Sequence, residues 1–134
     1  MDGVTVTKLK RIHHPKGDLL HAMKSSDIGF SGFGEAYFSS IKKGETKGWK
    51  KHKSMILNII VPVGAIEFII YDEGNDKYLK IILSNKNYKR LTIEPGLWVC
   101  FLGIDKFNLL LNIASCEHNP NESVNVNLKT FNFK

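Results

Sequence analysis

The sequence predicts an all-β chain folded as a jelly roll. Three observations carry this. No segment sustains the 3.6-residue apolar period of an amphipathic helix. Turn residues recur roughly every 8–12 positions, the mark of a sandwich or barrel. The runs between those turns are rich in β-branched and aromatic residues and are numerous enough for the eight or so strands of a jelly roll.

The elements follow in order. Residues 4–12 alternate and read as an edge strand, and residues 19–23 as a short one. Between them His13-His14-Pro15-Lys16-Gly17-Asp18 turns the chain, because Pro and Gly interrupt regular structure. After the loop Ser31-Gly32-Phe33-Gly34, residues 35–41 form an aromatic strand. Lys42-Lys43-Gly44 turns the chain into a strand over 46–52. Residues 55–63, with Ile56-Leu57-Asn58-Ile59-Ile60-Val61, have the continuous apolar character of a buried strand. Gly64 turns into a strand over 65–71, and Glu73-Gly74-Asn75-Asp76 makes a hairpin loop. Residues 78–83, 90–93, 98–102 and 108–114 complete the set. We expect one domain over residues 1–134, with a core at about 4–115 and a polar tail over 116–134 that wraps the barrel.

Composition excludes several classes. The chain has 134 residues, 43% of them hydrophobic and 24% charged, which is ordinary for a globular protein. No apolar run approaches the ~20 residues of a membrane helix. Met1-Asp2-Gly3-Val4 carries no basic-then-apolar signal, and the two cysteines, Cys100 and Cys116, are too few for a disulfide framework. A cytoplasmic location with reduced thiols is expected. The net charge of +6 favours anionic partners. Nucleic acid is not expected among them, because no recognised module or basic stripe with interleaved aromatics is present. Gly-rich nucleotide signatures are also missing.

The densest chemistry lies at Gly44-Glu45-Thr46-Lys47-Gly48-Trp49-Lys50-Lys51-His52, closed by Gly64. The spacing resembles the first cupin motif, G-x5-H-x-H-x4-E-x6-G. Lys50 stands at the first His, His52 at the second and Leu57 at the Glu. In the second half, Glu94-Pro95-Gly96-Leu97-Trp98-Val99 resembles P-x-G-x-x-H, with Val99 at the third His. A zinc or iron site needs three or four converging N, O or S ligands. Only His52 remains, so no metal and no other cofactor is expected. Side chains alternate along a strand, so Lys50 and His52 face one side, the barrel interior.

Taken together, G-F-G-E-A-Y-F at 32–38, K-G-W-K-K-H-K at 47–53, I-I-V-P-V-G at 59–64, L-T-I-E-P-G-L-W at 91–98, and L-L-L-N-I-A with E-H-N-P at 109–120 resemble the sugar-nucleotide epimerases related to the dTDP-4-dehydrorhamnose 3,5-epimerases. The resemblance implies a homodimeric, metal-free cupin-type jelly roll, a double-stranded β-helix. It also implies a nucleotide-diphosphate-sugar substrate and a role in cell-surface carbohydrate biosynthesis. In that chemistry a ketone at sugar carbon 4 acidifies its neighbours. A base removes a proton, an enolate forms, and an acid returns a proton to the other face.

The resemblance places Lys50 at the base of the R-G-x-H pattern and His118 at the acid, two residues before Pro120. Lysine is ordinarily protonated at neutral pH. Lys50 therefore stabilises the enolate, or serves as the base if burial and the neighbouring Lys47 favour its neutral form. His52 is the better candidate for the base. His118 or Tyr37 is the acid, since related keto-isomerases share an H-x-H-K pattern, here Lys50-Lys51-His52-Lys53, and also use a strand Tyr. Lys47 and Arg90 are expected to hold phosphate. Trp49 and Trp98 are expected to stack on a base or sugar ring. Glu35 shares a strand face with Tyr37. Asn58, polar within an apolar strand, points to the pocket or to a buried network. Because the substitutions fall on catalytic positions, the competing expectations are a sugar-nucleotide-binding cupin that has lost its chemistry and a 3,4-keto-isomerase. Exchange of substrate protons with solvent separates the binding protein from an enzyme.

Overall fold

The structure, a computed structural model, describes residues 1–133; Lys134, the end of the expected tail, lies outside the described residues. Twelve strands run β1 Val4–Lys8, β2 Arg11–Ile12, β3 Leu19–Leu20, β4 Glu35–Lys42, β5 Thr46–His52, β6 Leu57–Val63, β7 Ala65–Asp72, β8 Lys77–Ser84, β9 Lys89–Ile93, β10 Trp98–Gly103, β11 Phe107–Ala114 and β12 Ser123–Asn125. They form two five-stranded antiparallel sheets, β1-β9-β6-β11-β4 and β12-β5-β10-β7-β8, and a small β2-β3 hairpin. This is the all-β cupin-type jelly roll that the sequence predicts. The expected edge strand over 4–12 is divided in two. β1 pairs with β9, whereas β2 leaves the sheet to pair with β3.

Burial follows alternation. The inner faces of β6, β7 and β11 contribute Ile59, Val61, Ile66, Phe68, Ile70 and Leu110 to the main core between the sheets. Each sheet is also covered on part of its outside. On the first sheet, residues 21–30 lie over β6 and β9. Gly29, at φ +94°, permits the contact, since a Cβ there would meet Thr92 Oγ1 at 2.8 Å. On the second sheet, Val126, Leu128, Phe131 and Phe133 cover Trp49, Ile69, Tyr71, Trp98 and Cys100. The tail read as polar therefore carries a second apolar cluster. β12 adds a strand to β5, and Trp49 exchanges two backbone hydrogen bonds with Val126, at 3.2 and 3.1 Å.

One irregularity sets the direction of the β5 side chains. Against β10, Val99 lies opposite Lys50 and Cys100 opposite Gly48, so Trp49 is an extra residue in the ladder. Gly48 is required here. Its φ is +131°, and a Cβ would lie 2.5 Å from Cys100 Cβ and 2.8 Å from the Val99 carbonyl oxygen. The bulge turns Trp49 outward, under the tail, while Lys47, Lys50 and His52 face inward.

Candidate active site

Between the sheets, on the β4 and β5 side, lies a cavity of about 400 Å³. The β5 wall supplies Lys47, Lys50 and His52. The opposing wall supplies Tyr37 and Ser39 from β4 and Asn112 from β11, and Asn125 of β12 closes one side. Leu57, Ile59, Val99, Phe101 and Leu110 make the remainder apolar. Leu57 and Val99, which stand at metal-ligand positions of the cupin pattern, thus serve as cavity wall. Among the described residues no three His, Cys, Asp or Glu side chains converge on a metal position.

His52 is held by a residue that sequence reasoning missed. Its Nδ1 lies 2.6 Å from Glu122 Oε1, and the two side chains are only 11% and 8% exposed. Glu122 ends a 3₁₀ turn, Pro120–Glu122, capped by the Asn119 side chain. Its Oε2 accepts the backbone N–H groups of Lys53, Ser54 and Met55 at 3.0, 2.9 and 2.9 Å. Burial pushes the Glu122 carboxyl up. The His52 hydrogen bond and the Ser54 and Met55 N–H groups outweigh it and hold the group down at about 2. Glu122 is therefore ionised at neutral pH and can only accept. His52 must place a proton on Nδ1, which in the neutral ring leaves the Nε2 lone pair as the free base.

Across the cavity, Tyr37 Oη lies 2.9 Å from Asn112 Nδ2. Lys47 donates to the Ser40 carbonyl at 2.7 Å. Lys50 is half-buried, and no hydrogen bond or ion pair to its ammonium is found among the described residues. No acceptor among the described residues competes with a ligand oxygen for it.

Several expected site residues lie elsewhere. Trp49 is fully buried on the outer side, with its Nε1 donating to the Leu128 carbonyl at 3.2 Å. Trp98 shares that side, packs on Phe131 and donates to Glu73 Oε1 at 3.1 Å. Neither ring faces the cavity, because the bulge and the pleat turn both toward the tail. Arg90 is fully buried under residues 21–30 and donates to the carbonyls of Ala22 and Ile28, at 2.8 and 2.9 Å. It is an anchor for that segment and is out of reach of a phosphate in the cavity. Asn58 belongs to the same outer network, donating to the Gly29 carbonyl at 3.0 Å and accepting from Thr92 Oγ1 at 2.6 Å. Glu35 shares the Tyr37 face at the start of β4 but does not line the cavity. His118 is exposed and also outside it. Cys100 is fully buried, and burial pushes its thiol up to about 12, so it is a packing residue.

The profile of a family described as FdtA: WxcM-like, C-terminal matches residues 2–132. The chain belongs to the WxcM-like, C-terminal family. No curated protein sequence matches it. Among solved structures, this WxcM-like chain is similar to a dTDP sugar isomerase from Desulfovibrio desulfuricans G20. The TM-score is 0.92 at 29% identity, covering 96% of this chain and 87% of that one. It shares its fold with QdtA, a sugar 3,4-ketoisomerase from Thermoanaerobacterium thermosaccharolyticum solved with TDP, at TM-score 0.82 and 22% identity over 92% and 88% of the chains. It also shares its fold with a dTDP-4-dehydrorhamnose 3,5-epimerase from Sulfolobus tokodaii, at TM-score 0.88 and 21% identity over 99% and 82% of the chains.

The ionised state of Glu122 is testable through acid stability. Its carboxyl lies at about 2 in the fold, against an ordinary 4.5. A depressed carboxyl stabilises the fold above its unfolded value, and that contribution is lost as pH falls from 4.5 toward 2. Glu122→Gln keeps the shape and cannot ionise. In urea unfolding curves the stability gap between wild type and variant, up to roughly 3 kcal/mol near neutral pH, should close across that window. A gap that does not change with pH would contradict the assignment.

Proposed function

We propose that the protein is a sugar-nucleotide epimerase or isomerase that moves a proton next to the ketone of a dTDP-4-keto-6-deoxy sugar. One observation carries the reading: a His–carboxylate pair on one wall of a half-apolar cavity faces a phenol on the other. Removal of a proton from one face of a sugar and return at another position needs a base and an acid approaching from different sides. The WxcM-like family membership and the likeness to the dTDP sugar isomerase support the same substrate class.

In this reading His52 is the base, through Nε2. Lys50 lies two residues before it on the same strand face, where its ammonium offsets the charge that develops on the ketone oxygen as the enolate forms. Its access to the cavity as a cation with no partner among the described residues favours this role over that of base. Tyr37 is the acid. It is preferred to His118 because Tyr37 lines the cavity and His118 does not. Lys47, exposed beside it on β5, is placed to meet the diphosphate. The apolar walls exclude water, which strengthens each of these electrostatic contacts.

The working unit is a homodimer in the cytoplasm, acting in cell-surface carbohydrate biosynthesis. The outer face of β4 and β11 supports the dimer. Phe38 is 66% exposed and Phe107 58%, and Leu109, Leu111 and Ile113 form a row beside them. Such a contiguous apolar strip, on the part of the sheet that residues 21–30 leave bare, is the signature of an interface.

Deuterium wash-in tests the chemistry. With a dTDP-4-keto-6-deoxy sugar in heavy water, deuterium should enter at carbon 3, carbon 5 or both, and the product identifies epimer or 3-keto isomer. His52→Asn should slow exchange about 10²–10⁴-fold with the fold intact. Binding without exchange in the wild type would show a protein that has lost its chemistry. For the dimer, Leu111→Asp should yield monomers in analytical ultracentrifugation at concentrations where the wild type is dimeric, since a central charge disrupts an apolar interface. An unchanged oligomeric state would place the interface elsewhere.

A further inference from the structure

We infer that Asn112 is the positioning residue for Tyr37: it fixes the phenol so that its proton points into the cavity, toward the carbon that is reprotonated. The inference rests on the proposed epimerase or isomerase reading and concerns the step that follows enolate formation.

Donors and acceptors fix the direction of the phenol proton. A side-chain amide has one acceptor oxygen and an NH₂ group that can only donate. The backbone N–H of Asn58 can also only donate, and it lies 3.0 Å from Asn112 Oδ1. That contact decides which way the amide faces. Asn112 Nδ2 is then directed at Tyr37 Oη, 2.9 Å away, and the phenol oxygen must accept. Its own hydrogen has to turn elsewhere, and among the described residues no acceptor is placed to receive it. The open direction is the cavity.

The ladder pins this geometry. Asn112 sits at mid-β11, directly opposite Tyr37 on β4 and opposite Ile59 on β6, and is 2% exposed. A buried amide with both ends satisfied does not flip without leaving a polar group unpaired.

The proton balance is complete. His52 takes a proton from the sugar carbon and leaves the enolate. Tyr37 O–H gives its proton to carbon and becomes a phenolate, which the Asn112 N–H stabilises by a bond that strengthens as the charge appears. Tyr37, 41% exposed, regains a proton from solvent, and His52 releases one to solvent.

The test compares Asn112→Asp with Tyr37→Phe. An ionised aspartate accepts the Asn58 N–H with one oxygen and captures the Tyr37 proton with the other, so the phenol is still present but aimed wrongly. Both variants should keep near-wild-type deuterium exchange at the substrate carbon, since His52 is intact, and should lose product formation about 10²-fold. The double variant should be no slower than the slower single one. Asn112→Ser, which removes the donor without adding charge, serves if the aspartate variant does not fold, and should show the same lack of additivity with Tyr37→Phe. The inference is overturned if a folded Asn112 variant keeps full turnover, or if it slows the Tyr37→Phe enzyme by the factor it shows alone. Lack of exchange in the wild type would instead remove the enolisation reading, and this inference with it.

Discussion

The site depends on one buried carboxylate. Glu122 reaches back across 70 positions of sequence to His52 and caps three successive backbone N–H groups in the connection between β5 and β6. Hydrogen bonds to a charged group contribute roughly 1.5–3 kcal/mol each, and four of them overcome the cost of burying the charge. The same contacts do two things. They fasten the tail to the mouth of the barrel, which brings β12 and Asn125 to the cavity. They also leave His52 with one arrangement of its ring proton. Stability and chemistry therefore share a single set of bonds.

The rest of the arrangement follows from the pleat. Strand alternation makes β5 a wall of charged and basic groups, and β4 with β11 a wall of hydroxyl and amide groups. The bulge at Trp49 keeps Lys47 in step with Lys50 and His52, which a regular strand would not do. On both walls the side chain proposed to react has a buried neighbour that removes its freedom: Glu122 for His52, Asn112 for Tyr37. A preorganised site of this kind needs little reorganisation when charge develops.

Much of the fold was legible because it depends on local pattern. The strands of the two sheets other than β12, and the cavity-facing pair Lys50 and His52, follow from alternation and turn residues. The failures share a cause: outer faces with non-local covers. Trp49 and Trp98 looked like stacking platforms, but Phe131 and Phe133 from the tail enclose that face. Arg90 looked like a phosphate ligand, but residues 21–30 fold over it. Asn58 and Asn112 have one signature, a lone amide in an apolar strand. The first was singled out and belongs to the outer network, whereas the second faces the cavity. Only the register tells them apart. Glu122 gave no signal in a polar tail, although a buried His52 needs an acceptor.

The central claim is the tautomer of His52, and ¹⁵N NMR of the imidazole reads it directly. In the neutral ring, in the absence of substrate, the account predicts a protonated, pyrrole-type Nδ1 and an unprotonated, pyridine-type Nε2, with this preference lost in Glu122→Gln. A neutral wild-type ring with its proton on Nε2 and Nδ1 bare would contradict it, because no lone pair would then face the cavity.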